Sequence, residues 1–141
     1  MPIADLDQCP CSGKSLARLL QPAVMAVLAR EPLHGYVILQ RLRDRPMFRH
    51  QGPDVTGVYR LLKEMAKRGL VKASWDLATS GPAKRRFELT ASGRACLGRW
   101  IATLRHYQES VSDLLSTTAE AAARVSRPRA GPTRRGKRPG K

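Results

Sequence analysis

"DVTGVYRLLKEMAKRGLVKASWDL", residues 54–77, changes its hydrophobic period at Gly69. Before that glycine, Val55, Val58, Leu61, Leu62 and Met65 recur at helical spacing. After it, Val71, Ala73 and Trp75 alternate with Lys72, Ser74 and Asp76, the spacing of a strand. The segment therefore predicts a helix over 54–68, a C-cap at Gly69 and a strand over 70–76. Thr56, Tyr59, Arg60 and Lys63 stand at i, i+3, i+4 and i+7, so they share the polar face of that helix, with Lys67 beyond. Gly57 costs a helix interior about 1 kcal/mol relative to alanine. Such a glycine suits a place where the backbone approaches something closely.

Upstream, two shorter helices are expected. Pro22 belongs in a first helical turn, which starts one helix near Gln21 and ends it near Arg30, with Ser15–Leu20 as a short helical lead-in. "REPLHG" reads as a turn, and "YVILQRLRDR" as a second helix with Val37, Ile38 and Leu42 inward, stopped by Pro46. "PMFRHQGPD" reads as a loop. Downstream, a second strand over 84–89 follows the turn formers Ser80, Gly81 and Pro82. Trp75 is expected in the core of this hairpin. Thr90 then caps a long final helix. In it Leu97, Ile101, Leu104, Gln108, Val111 and Leu115 step by fours and threes, the interval of a coiled-coil seam, which predicts pairing with a second copy of the chain.

The charge is the outstanding bulk property. The 141 residues carry a net +15, and residues 124–141 hold eight Arg or Lys and no acid. The first 123 residues still hold 18 basic against 11 acidic groups, so the body is cationic without its tail. A polyanionic partner is the leading idea. No secretory signal is expected from the acidic opening with Asp5 and Asp7, and the longest purely apolar run, Ala23–Ala29, is far short of the ~20 residues that span a bilayer. Three cysteines without a framework suit a reducing compartment. The expectation is a cytoplasmic protein with no membrane partner.

Helix, helix, helix and hairpin is the order of a winged helix-turn-helix, whose third helix lies in the DNA major groove and whose hairpin forms the wing. The fold class expected is mainly α with a two-stranded β wing and a long C-terminal dimerisation helix. Four regions follow: an arm and lead-in over 1–20, the winged helix over 21–89, the dimerisation helix over 90–123, and a disordered basic tail over 124–141. Hydroxyls and cations on the exposed face of 54–68 are the groups that phosphates and base edges require. Thr56, Tyr59, Arg60 and Lys63 are thus the candidate contacts to double-stranded DNA, with Lys84 and Arg85 just past the wing tip. Arg86 is expected on the opposite face.

"LHGYVILQRL", "GVYRLLKEMAKRGLV" and "GPAKRRFELTASGRACLGRW" resemble, in order and spacing, the three signature blocks of the PadR family of bacterial transcriptional regulators, over about residues 23–104. The resemblance implies a homodimeric winged-helix repressor, dimerised through its C-terminal helix and released from an operator by a small-molecule effector. It also implies that the turn bearing His34 and Tyr36 lies near the DNA backbone. Phe87 stands where the family usually has Tyr, which keeps a packing role and removes a hydroxyl. The single long final helix is similar to the shorter of the family's two architectures.

Other residues raise separate possibilities. Trp100, with Leu104 on the same helix, is the candidate contact for a flat effector. Cys9 and Cys11, with Cys96 as a third thiol, suggest a metal- or thiol-responsive regulator, although a closed zinc site requires four ligands. No resident cofactor is expected. A sequence-indifferent, nucleoid-type DNA protein driven by the tail would not need groove-reading hydroxyls. A pure interaction dimer would not need cations on the third helix. Neither a His-Glu-x-x-His pair, a nucleophile elbow nor a Walker loop occurs, and His34, His50 and His106 are scattered, so no enzyme chemistry is expected.

Overall fold

A computed structural model describes residues 19–49, 52–77 and 84–126. The elements run α1 (Leu20–Leu28), β1 (Leu33–His34), α2 (Gly35–Arg43), a 3-10 turn (Pro46–Phe48), α3 (Val55–Lys67), β2 (Val71–Asp76), β3 (Lys84–Leu89) and α4 (Ala91–Ser126). The chain divides into two compact units, Met1–Ile101 and Ala102–Lys141. The first is a winged helix-turn-helix, as the order of its elements predicts.

One element departs from the sequence reading. Leu33 and His34, expected in a turn, form a strand that pairs antiparallel with β3, Leu33 opposite Phe87 and His34 opposite Arg86. The wing is therefore a three-stranded sheet in the order β1-β3-β2 rather than a lone hairpin. This supplies β3 with a hydrogen-bonding partner on both sides, and it ties the start of α2 directly to the wing.

The core forms where the apolar faces of α1, α2 and α3 meet one face of the sheet. Val24, Met25, Ile38, Leu39, Leu42, Val58, Leu62 and Met65 are almost wholly buried, with Val71, Phe87 and Leu89 contributed by the strands. In α2, Leu39 joins Ile38 and Leu42 in the interior, while Val37 is only half-buried. Phe48, from the segment read as a loop, is also in the core. Leu, Val and Met side chains fill most of this core.

The junction after α3 is built by hydrogen bonds as well as by periodicity. Gly69 takes φ +77°, the left-handed conformation that glycine adopts without a Cβ clash. Its N–H donates to the Ala66 carbonyl at 3.1 Å, and the N–H of Leu70 donates to the Met65 carbonyl at 2.9 Å. That pair of bonds is a Schellman motif, which satisfies the last carbonyls of α3 and turns the chain into β2. At its other end Asp54 caps α3, its Oδ1 accepting from the Gly57 N–H at 2.6 Å. A Cβ on Gly57 would come within 2.8 Å of that same oxygen. The close approach expected at this glycine is thus met inside the chain, by the cap.

Thr90 caps α4 as expected, its Oγ1 accepting from the Gly93 N–H at 3.0 Å. The same hydroxyl donates to the Gly69 carbonyl at 2.6 Å, and the Thr90 N–H donates to the Leu70 carbonyl at 3.1 Å. The first turns of α4 are thereby fastened to the corner between α3 and β2. Cys96, Leu97 and Trp100 pack against the core of the first unit. Leu97, the first residue of the expected seam, therefore has an intramolecular role.

The second unit, described by itself, is helical from Ala102 to Ser126. Tyr107, Val111, Leu114 and Leu115 are exposed along it, and Leu104 is half-buried. Arg124–Ser126, expected in the tail, are helical, with Arg124 paired to Glu120 at 3.2 Å and the Ser126 hydroxyl donating to the Ala122 carbonyl at 2.9 Å. The remainder of the tail, the arm with Cys9 and Cys11, and the turn with Ser80–Pro82 lie outside the described residues.

Candidate nucleic-acid interface

Because Val58, Leu62 and Met65 are buried, the opposite face of α3 is turned outward. Thr56, Tyr59, Arg60 and Lys63 are all exposed on it. The helical period that fills the core with one set of side chains presents the other set to solvent. Among the described residues, Arg60 and Lys63 form no ion pair, whereas the acid of this helix, Glu64, faces Arg68 across 4.0 Å. The two cations on the outward face are thus available to an external anion.

Tyr59 has a second relationship. Its ring lies so close over Gly35 that a Cβ there would meet the phenol oxygen at 2.5 Å. The missing side chain at 35 makes the seat for the ring, at the point where β1 passes into α2. Tyr36 beside it is 62% exposed, so its ring is presented to solvent rather than packed into the fold. His34, Gly35, Tyr36, Val37, Tyr59, Lys84 and Arg85 together line a half-open cleft of about 410 Å³. Five sequence-predicted contacts, drawn from the start of α2, from α3 and from the wing, are brought together there.

The wing residues divide by register. Lys84 lies opposite Asp76, Arg85 opposite Trp75 and Arg86 opposite Ser74. Lys84 and Arg86 thus leave β3 on one face and Arg85 on the other. Trp75, expected in the wing core, is 61% exposed. Its ring serves instead as a platform for Arg85, whose guanidinium carbon lies 5.6 Å from the Trp75 ring centre and 5.7 Å from that of Phe87. A guanidinium stacked in this way is held in place without losing its charge.

His34 is oriented from within the chain. Its Nε2 lies 2.9 Å from Asp76 Oδ2, and Arg86 reaches the same oxygen at 3.5 Å. Sequence reasoning placed His34 near DNA but missed Asp76, because the strand that brings them together, β1, is only two residues long.

The remaining candidates do not join this cluster. Trp100 is half-buried against the core of the first unit, and Leu104 belongs to the second. Cys96 is half-buried with Gln21 Nε2 3.9 Å from its Sγ. No group of three His, Cys, Asp or Glu side chains is gathered among the described residues. Nor, among them, is any helix long and apolar enough to cross a membrane.

Three helices, a paired wing and an outward cationic face on the third helix define a winged-helix protein of the kind that regulates transcription. The sequence matches the Transcriptional regulator PadR-like family over residues 24–99. The chain belongs to that family, and is a transcriptional regulator in it. Solved structures share the fold. A PadR family transcriptional regulator from Eggerthella lenta is 23% identical, with a TM-score of 0.62, over 81% of this chain and 99% of that one. A PadR-like transcription factor from Bacteroides fragilis is 23% identical at a TM-score of 0.59, over 74% of this chain and 97% of its own. A PadR-like transcriptional regulator from Bacillus cereus is 20% identical at 0.62, covering 72% and 96%. No curated protein sequence matches the chain at a significant level.

Proposed function

We propose that the protein is a homodimeric repressor that reads an operator through α3 and is released by a small-molecule effector. The observation that carries this reading is the exposed cationic face of α3, whose Arg60 and Lys63 form no ion pair among the described residues, contiguous with the cleft of Tyr36, Tyr59, Lys84 and Arg85. Thr56, Arg60 and Lys63 face base edges and phosphates in the major groove. His34, Tyr36, Lys84 and Arg85 contact the backbone on either side. Tyr59, seated on Gly35, bridges the two sets.

The dimer forms through the apolar positions of the second unit, half-buried Leu104 with Val111, Leu114 and Leu115, and the exposure of the last three on a single helix calls for a partner of the same kind. Two copies present two α3 helices, and the operator is correspondingly a pair of half-sites about one or more helical turns apart. Trp100 and Leu104 are the proposed effector contacts.

Genomic footprinting of the full chain, with and without added candidate ligands, tests this reading. It is supported by occupied promoter sites sharing an inverted repeat, some of which are vacated on adding a ligand. Occupancy spread evenly over the genome would replace it with a sequence-indifferent DNA protein.

A further inference from the structure

Asp76 is an acid in a cationic setting. Lys84 lies opposite it and Arg86 shares its face of the sheet, and the other acid on that face, Glu88, faces Lys72 at 3.9 Å. Its side chain is only 11% exposed. The register explains its reach. Arg86 of β3 lies opposite His34 on one side and opposite Ser74 on the other, and Asp76 is two residues beyond Ser74 on the same face. One carboxylate oxygen therefore engages a residue on each of the other two strands, His34 Nε2 at 2.9 Å and an Arg86 guanidinium nitrogen at 3.5 Å.

A carboxylate here carries two costs. It is partly desolvated, and it stands near the surface that meets phosphates, which it repels. What it provides is geometry. His34 immediately precedes α2, so the same oxygen joins the start of α2 to the wing. Given the DNA-reading role assigned above, we propose that Asp76 is a positioning residue for DNA recognition, holding the wing against the start of α2. Tyr36, Lys84, Arg85 and the ring of Tyr59 then meet the duplex as one preorganised surface. Asp76 does not touch the DNA. It acts through His34 and Arg86.

The sign of the effect separates this role from simple charge. Asp76→Asn keeps the shape and removes a repelling charge, so electrostatics alone would tighten binding to every duplex. Loss of positioning weakens binding to the cognate duplex only. The probes are a duplex selected by the full chain from a random-sequence pool, and an unselected duplex of equal length. Asp76→Asn is expected to lower the preference for the selected duplex about tenfold, as expected for losing a charge-assisted hydrogen bond, with affinity for the unselected duplex unchanged or raised. His34→Ala, which removes the other end of the link, should lose the preference as well. The double variant His34→Ala/Asp76→Asn should be no worse than the poorer single one, because both remove the same link.

Equal tightening on both duplexes would overturn the proposal and leave Asp76 as a repelling charge. So would an equal loss on both with a lowered melting temperature, which would mean that the carboxylate only maintains the fold. The groove assignment is checked separately by Arg60→Ala/Lys63→Ala in the otherwise native chain. If that variant binds both duplexes normally, the groove reading fails, whatever Asp76→Asn does.

Discussion

The ring of Tyr59 rests on Gly35, so close that a methyl group at 35 would come within 2.6 Å of two ring carbons and 2.5 Å of the hydroxyl oxygen. The outward face of α3 and the start of α2 are thus held in contact by the absence of a side chain. Tyr59 is 40% exposed and its ring can swing outward, so Gly35→Ala moves the tyrosine rather than the backbone. The melting temperature of this variant should stay close to that of the parent. Its affinity for the selected duplex should fall about tenfold, the loss of one good contact. Unchanged affinity in a titration would show that the place of Tyr59 does not matter to binding.

Glycines elsewhere should behave differently. A Cβ on buried Gly93 would collide with the Leu70 carbonyl oxygen, a backbone atom that also accepts the Thr90 N–H. Gly93→Ala should destabilise the protein by about 1–3 kcal/mol, as overpacking does. Gly98 has no described atom within 4 Å of its Cβ position, and it lies within α4. Gly98→Ala should stabilise by about 0.4–1 kcal/mol through lost freedom of the unfolded chain. Urea denaturation of the two variants checks both, and a stable Gly93→Ala protein would contradict the packing described at this corner.

How much of this was legible in the sequence follows from what each element leaves in its pattern. The passage from α3 to β2 is visible because Gly69 marks the change from one period to another. β1 is invisible, since two residues have no period, and with it the contact between His34 and Asp76. Asp76 reads as the outward polar residue of an alternating strand, and nothing local shows that it faces a third strand. Trp75 occupies the correct alternation for the core, but the core cluster ends at Ala73 and Phe87, so the indole is left exposed beneath Arg85. Leu97 shows the converse ambiguity. A stripe that packs on its own domain and a seam that packs on a partner share nearly the same period, and only burial tells them apart.

Dimerisation is expected to depend on the second unit. Leu104→Asp/Val111→Asp places two carboxylates on the half-buried and exposed apolar positions there. Sedimentation should give a dimer for the parent and a monomer for the variant, with loss of affinity for a two-half-site duplex. A variant that remains dimeric would move the interface off this helix.

The basic tail should add affinity without adding discrimination. Truncation after Ser126 leaves α4 whole and removes seven cations, Arg127 to Lys141. Each phosphate no longer neutralised removes about 0.9 from the slope of log affinity against log salt. Affinity for selected and unselected duplexes should fall by similar factors, with their ratio kept. A truncated protein that bound DNA well but had lost its preference would make the tail a reader of sequence.

Entry of the outward face of α3 into the groove is tested most directly by Arg60→Ala/Lys63→Ala. Both side chains are exposed and, among the described residues, form no ion pair, so their removal should leave the melting temperature nearly unchanged. Affinity for the selected duplex, measured over a range of salt, should fall by about 1–3 kcal/mol for each side chain that reads a base. The salt slope should become shallower for each that neutralises a phosphate. Parental affinity and an unchanged slope in the double variant would contradict the account, and would show that α3 does not read DNA.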